Sequence, residues 1–272
     1  MIKYAGLKVL SLMAVVLKVG CCGFPVSRKK YFKTHNVVEI QQTFYKIPSE
    51  KTLAKWRDEA PENFEYTIKA WQAITHPPSS PTWRKAGIKI PKELEEKYGY
   101  LKPTKENFKA WELLEEAAKI LNAKVVIVQT PPSFGYNDEN YRNALTFFSE
   151  ISEGTKLSIA WEPRGTWLHN LEKVEEIVGR TDIIHCVDPF VSNPVSIKSI
   201  VYLRLHGKNR KWPNYRYKYT DNDLNTLKSK VQEYISAGAK KVYVMFNNVH
   251  MYQDSLKFKE LIAARGEAIE NK

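Results

Sequence analysis

Cysteine is scarce in this chain, with three in 272 residues. Cys21 and Cys22 are adjacent, and neighbours on a strand project to opposite faces, so they do not form a zinc ligand pair. An odd, small count also argues against a disulfide framework and points to a reducing compartment, the cytoplasm. Glycine numbers only 12, and no G-x-G-x-x-G follows the first apolar run, which removes the signature of a dinucleotide-binding turn. Neither H-x-H nor H-E-x-x-H occurs, so no spacing announces a metal site. Long apolar runs are missing too. Val9–Leu17 is too short to span a bilayer, Lys18 interrupts it, and no clean small-residue cleavage site follows. Residues 1–14 therefore read as an N-terminal extension, and 15–272 as one domain without a membrane partner.

What is present suits a packed globular domain. Hydrophobic residues make up 43%, with 7 Trp, 15 Tyr and 11 Phe. The formal net charge of +12 favours anionic partners, although lysines spread over solvated helix faces give the same total. Many Lys, Glu and Tyr beside few Met and Cys suit a thermophilic composition.

Short β-rich runs alternate with helical patterns from end to end. The runs are Val15–Cys22, Val37–Gln41, Glu65–Ala70, Val125–Thr130, Leu157–Glu162, Ile183–Asp188, Ile200–His206 and Lys241–Asn247. Helical periodicity is clearest over Thr104–Asn122, with Thr104 as N-cap, and recurs at Lys51–Ala60, Asn137–Ile151, Asn170–Gly179, Thr220–Gly238 and Gln253–Glu270. Eight strand–helix alternations specify a parallel sheet, and eight is the number that closes a barrel. The predicted fold is an α/β single (β/α)8 TIM-like barrel. Thr75–Tyr100, with Pro77, Pro78, Pro81 and Pro91, reads as a Pro-rich insertion after the third strand, a lid or wall over the rim.

Alternation then decides which side chains meet. In the seventh strand Val201, Leu203 and Leu205 face the helices, so Tyr202, Arg204 and His206 face the axis. The same rule turns Glu162 and Arg164, Lys69, and Glu39 inward. Gln129, Asp188 and the pair Asn247–Asn248 end three further strands. Charged or amide groups close seven of eight strands at the carboxyl end, the rim where barrel enzymes collect their catalytic groups. Burying so many charges is costly unless they pair or meet a ligand.

These segments carry a family resemblance. VGCCGF (Val19–Phe24), VVEIQQTFYKIPS (Val37–Ser49), FEYTIKAWQAITH (Phe64–His76), VQTPPSF (Val128–Phe134), WEPRGTW (Trp161–Trp167), VYLRLHG (Val201–Gly207) and VMFNN (Val244–Asn248) resemble the YecE-like family, a domain of unknown function. The match runs in order over roughly residues 15–262, with Cys21 and Cys22 standing where the family usually has small polar residues. It implies a TIM-like barrel and supplies no activity.

The candidate chemistry comes from the rim itself. Glu39 and Glu162, with His206, are the candidate catalytic set for acid/base work. The competing account is that each carboxylate pairs with Lys69, Arg164 or Arg204 in a structural network. Lys69, His76, Gln129, Arg164, Asp188, Arg204, Asn247 and Asn248 are the candidate substrate-binding set, the cations suiting a phosphate or carboxylate. A Schiff-base role for Lys69 is conceivable, yet the nearby Arg and Glu residues favour a paired lysine. No cofactor is called for; the ligand types allow a divalent metal, but no spacing supports one. Phe24, Tyr45, Trp71, Phe134 and Trp167 are candidate pocket walls or core. The expected function is an enzyme, whether hydrolase, lyase or isomerase, acting on a small anionic molecule. The alternatives are a nucleic-acid-processing barrel, with which the basic, aromatic stretch Lys208–Trp212 also fits although it reads more readily as a solvated loop or a lid over an anionic substrate, or a binding module whose rim charges are all internally paired.

Overall fold

A computed structural model describes residues 15–208, 212–263 and 269–270. The chain runs β1 (Val15–Cys22), α1 (Arg28–Tyr31), β2 (Val37–Ile40), α2 (Gln42–Tyr45), α3 (Glu50–Glu59), β3 (Glu65–Lys69), α4 (Gln72–Thr75), α5 (Pro81–Ala86) and α6 (Lys105–Leu121). It continues through β4 (Val125–Gln129), α7 (Asp138–Gly154), β5 (Ser158–Glu162), α8 (Leu171–Thr181), β6 (Ile184–His185) and β7 (Ile200–Leu205). α9 (Asp221–Ser236), β8 (Lys241–Phe246), α10 (Met251–Ala263) and β9 (Ile269–Glu270) complete it. The strands are parallel in the order β6-β5-β4-β3-β2-β1-β8-β7. A bridge from Val187 to Leu203 joins the two ends, with Arg204 N donating to Val187 O at 2.9 Å. The barrel expected from eight alternations is the fold observed.

Local chemistry explains the main elements. Thr104 Oγ1 accepts from Asn107 N at 3.3 Å to start α6, and Asn122 ends it with φ 51°, a left-handed position that asparagine tolerates. Thr220 and Asp223 form a reciprocal capping box at the start of α9.

Two expectations are corrected. The sixth strand keeps only two ladder residues, because its chain leaves the sheet at the Asp188 turn, where Phe190 N donates to Asp188 Oδ1. The last helix is described over Met251–Ala263, and Ile269–Glu270, expected on that same helix, instead pair in parallel with Val15–Val16 on β1. Residues 1–14 and Asn209–Lys211, the centre of the basic stretch, lie outside the described residues. No described helix is long and apolar enough to cross a membrane.

Thr75–Tyr100 packs back against α4. Gly99 N donates to Ala73 O at 2.7 Å and Leu101 N to Ile74 O at 3.0 Å, folding the segment back on α4. Buried Trp83 donates from Nε1 to His76 O at 3.0 Å. Gly99 has φ +77°, and a Cβ there would strike the His76–Pro77 backbone.

Inside the barrel Val37, Val125, Ile127, Ala160, Ile184, Cys186, Tyr202, Tyr243 and Met245 form an apolar plug. Beneath it, at the amino ends of the strands, Glu65 binds Lys241 at 2.8 Å, Lys18 at 3.7 Å and the Tyr243 hydroxyl. Lys18, which breaks the first apolar run, thus turns inward to a buried carboxylate. Gly20 lies where a Cβ would meet the Val37 carbonyl oxygen and the Met245 side chain. Gly20→Ala should therefore lower stability by about 1–3 kcal/mol through overpacking. A urea midpoint unchanged from wild type would contradict this tightly closed axis.

Candidate functional site

Above the plug, the inward positions of β2, β5 and β7 meet at one point. Arg204 is the hub. Its Nη2 and Nε donate to Glu39 Oε1 and Oε2 at 2.8 and 3.0 Å, and its Nη1 donates to Glu162 Oε2 at 2.5 Å. Arg164 Nε donates to the other oxygen of Glu162, also at 2.5 Å. Glu39 and Arg204 are fully buried, and Glu162 and Arg164 nearly so. The Tyr202 hydroxyl donates to Glu39 Oε2 at 3.0 Å, and Gln41 Nε2 donates to Oε1. Both carboxylates are thus saturated, the condition under which buried charges are tolerable.

Burial alone would raise the Glu162 pKa, but the guanidiniums of Arg164 and Arg204 outweigh it and hold the group well below the carboxylate range. His206 Nε2 lies 3.0 Å from Arg164 Nη2 and 3.5 Å from Arg204 Nη1. Guanidinium nitrogens only donate, so Nε2 must accept and the imidazole is neutral. Burial lowers its pKa, in agreement. Its Nδ1 makes no hydrogen bond and sits 3.6 Å from Asp188 Oδ2. That oxygen accepts from His206 N and Trp212 Nε1, each at 2.9 Å. Trp212 covers Arg164, whose Cζ is 4.2 Å from the ring centroid.

Lys69 behaves differently. Its Nζ donates to the neutral Gln129 Oε1 at 2.9 Å and stands 4.1 Å from the centre of the Phe44 ring. Among the described residues no carboxylate comes within ion-pair distance of it. Burial, then the charge of Arg204, lowers its pKa to about 8 against the opposing pull of Glu39 and Glu162. His76 packs edge-on against the same Phe44 ring at 4.9 Å, with Nδ1 2.8 Å from Thr75 Oγ1. Burial and the Lys69 charge lower it to about 3.

The structure gathers Glu39, Glu162, Arg164, Arg204, His206 and Asp188 into one connected set, with Lys69, Gln129 and His76 beside it. Asn247 is half-buried at the end of β8, its N–H donating to Leu205 O. Asn248 turns away from the axis: its Nδ2 donates to Tyr217 O and Asp254 Oδ2, both at 2.7 Å, so it braces a loop. Phe134 and Trp167 are fully buried and joined by an indole-to-carbonyl bond at 2.7 Å, which makes them core. Phe44, which lies against Lys69, escaped the sequence reading. It sits on a four-residue helix where strand parity gives no direction, one position from Tyr45. A cavity of about 10 Å³ remains between Glu162, Cys186, Asp188 and Trp212. A hollow of about 490 Å³ lined by Ser158, Asp182 and Lys198 opens at the amino ends of the strands, away from this chemistry.

A divalent metal fits this rim poorly. Both carboxylates are spent on guanidiniums, and the lone pair of His206 faces two cations. Among the described residues no three His, Cys, Asp or Glu side chains converge as a ligand set.

Other proteins share this architecture. The family model described as "Protein of unknown function DUF72" matches residues 27–272. The chain is 24% identical to the UPF0759 protein YunF of Bacillus subtilis (strain 168) over 257 residues, 82% of this chain and 81% of that one. It superposes on the DUF72 family protein EF0366 from Enterococcus faecalis V583 with TM-score 0.67 at 21% identity, covering 92% of this chain and 99% of that one. The DUF72 family protein TM1631 from Thermotoga maritima MSB8 gives 0.63 at 23%, covering 91% and 99%. More distant barrels share the fold: the IOLI protein, described with a bound zinc atom, gives 0.53 at 12% over 90% of this chain and 96% of that one. Endonuclease IV from Thermus thermophilus also gives 0.53, at 8% over 91% and 99%.

Two outcomes follow from the buried charges. Arg204→Met leaves Glu39 and Glu162 without their shared cation and should cost about 3–5 kcal/mol. Adding Glu39→Gln to it should cost less than the sum of the single changes; strict additivity would show that the pair is not coupled. Acid sensitivity should begin early. Burial holds His35, His76 and His185 at about 3, 3 and 4, below the unfolded value near 6.5. The unfolded chain therefore binds more protons below pH ~6.5, and stability present above that pH is lost as pH falls towards 4. Each histidine contributes up to ~1.4 kcal/mol per pH unit. Unfolding free energies that stay flat from pH 7 to 5 would contradict this.

Proposed function

The chain belongs to the DUF72 family, and from that premise and the geometry of its rim we propose an enzyme that acts on a small anion by acid/base chemistry at the carboxyl ends of the strands. The substrate bears a phosphate or carboxylate. One observation carries the proposal: among the described residues, Lys69 is the cation of the buried cluster that no carboxylate contacts. Arg164 and Arg204 are neutralised by Glu39 and Glu162, and Asp188 is held by two N–H groups and an indole on the far side of His206. An anion entering the mouth therefore meets uncompensated charge at Lys69, with Gln129 beside it as an amide partner.

Glu162, ionised and doubly bound, is a poor proton donor. In this proposal Glu39 and Glu162 position the two arginines, and His206 positions Arg164 by accepting its N–H. Proton transfer falls to Lys69, whose pKa burial lowers to about 8, while the neutral imidazole of His76 packs beside it. A nucleic-acid substrate is the second reading, supported by the charge of +12 and the shared fold with endonuclease IV. The small anion is favoured because the rim offers no free carboxylates to hold a catalytic cation.

Thermal unfolding with phosphate- and carboxylate-bearing metabolites tests this. At least one anionic compound should raise Tm saturably at low salt, and Lys69→Met should abolish the rise. No response to any anion, or an undiminished response in Lys69→Met, would overturn the assignment.

A further inference from the structure

We propose that Lys69 is a covalent nucleophile that forms an imine with the substrate, which makes that substrate a small anionic aldehyde or ketone. The inference rests on the rim being an anion site and names the class of anion. Three features of the structure support it. Among the described residues Lys69 has no carboxylate partner to hold its proton, unlike Lys241 at the opposite end of the barrel, which Glu65 grips at 2.8 Å. Its amine is buried with little water to solvate an ammonium, a cost set against the attraction of the Phe44 ring face 4.1 Å away for the charged form. Gln129 Oε1 accepts one N–H, which leaves the nitrogen lone pair free once the proton has gone.

The rival nucleophiles are disabled. Cys22 and Cys186 face the plug beneath Arg204, and burial pushes both thiols up well above their ordinary value. The Thr67 hydroxyl is engaged with that of Tyr202 at 2.7 Å. The groups acting on Lys69 come from four elements. Arg204 on β7 and Arg164 after β5 favour loss of its proton, while Glu39 on β2 and Glu162 on β5, both already claimed by guanidiniums, favour its retention. His76, from the end of α4, stays neutral. The outcome, about 8, makes a reactive fraction of free amine available near neutral pH.

The step balances without a redox partner. The Nζ lone pair bonds to the carbonyl carbon, and the C=O π electrons move to oxygen, which takes a proton from nitrogen. That hydroxyl then takes a proton from solvent and leaves as water, the second amine hydrogen stays on nitrogen, and the protonated C=N bond forms. The protonated imine draws electrons from the neighbouring carbon, so a proton or a carbon–carbon bond can be broken there. Isomerase or lyase chemistry follows, and hydrolase chemistry does not.

The test uses the full chain with pyruvate or dihydroxyacetone phosphate, sodium borohydride as trap, and peptide mapping by mass spectrometry. The expected result is a mass gain on Lys69, equal to the carbonyl compound less one oxygen atom, in clear excess over every other lysine. Its yield should rise from pH 7 to 9. Lys69→Arg, which keeps the charge, should retain the anion-dependent rise in Tm and show no adduct at position 69 or elsewhere above background. Absence of the Lys69 adduct in the wild type, or equal labelling of surface lysines, overturns the imine. If anions still raise Tm in that case, the anion site stands alone; if they do not, both assignments fall.

Discussion

A guanidinium with no exposure at the centre of a barrel is tolerable only if every donor is answered, and Arg204 is answered by Glu39 and Glu162. Three strands far apart in sequence must arrive in register for those contacts to form. The network therefore fixes the mouth of the barrel as firmly as the apolar plug fixes its waist. It also sets the electrostatics of the rim. Each carboxylate is spent, His206 is forced neutral by the donors it faces, and the uncompensated charge is displaced to Lys69. Removing one partner of such a set strands the others in a medium that cannot solvate them.

Packing and hydrogen bonds frame this mouth. Trp212 lies over Arg164, and the wall from α4 to α6 is tied down through Gly99, Leu101 and Trp83. Pre-set geometry suits catalysis by positioned groups, since no reorganisation is needed when charge develops. At the other end of the barrel Lys18, Glu65, Lys241 and Tyr243 form a second, partly buried ionic group, in which both lysines share the Glu65 carboxylate. The contrast between the two ends singles out Lys69.

Much of this was legible in the sequence because strand parity is a strong rule. Tyr202, Arg204 and His206 alternate with Val201, Leu203 and Leu205, and that alternation alone placed Arg204 on the axis. Eight alternations gave the barrel, and Thr104 and Thr220 marked helix starts through their side-chain chemistry. What parity cannot supply is pairing. Whether Glu162 met an arginine or a substrate depended on the register between β5 and β7, which no local pattern encodes. Phe44 stayed hidden because a four-residue helix carries no period. Asn248 was misplaced because it follows the last ladder residue, where the chain turns and alternation lapses. Ile269–Glu270 looked helical, yet they pair with β1 as a strand.

The protonation of Lys69 is where this account can be tested most directly. In an NMR titration of the lysine side-chain resonances, Lys69 should change state near pH 8, below the ordinary lysine value of ~10.4. A Lys69 that titrates at that ordinary value would mean that the saturated Arg204 network does not shape the chemistry of the rim.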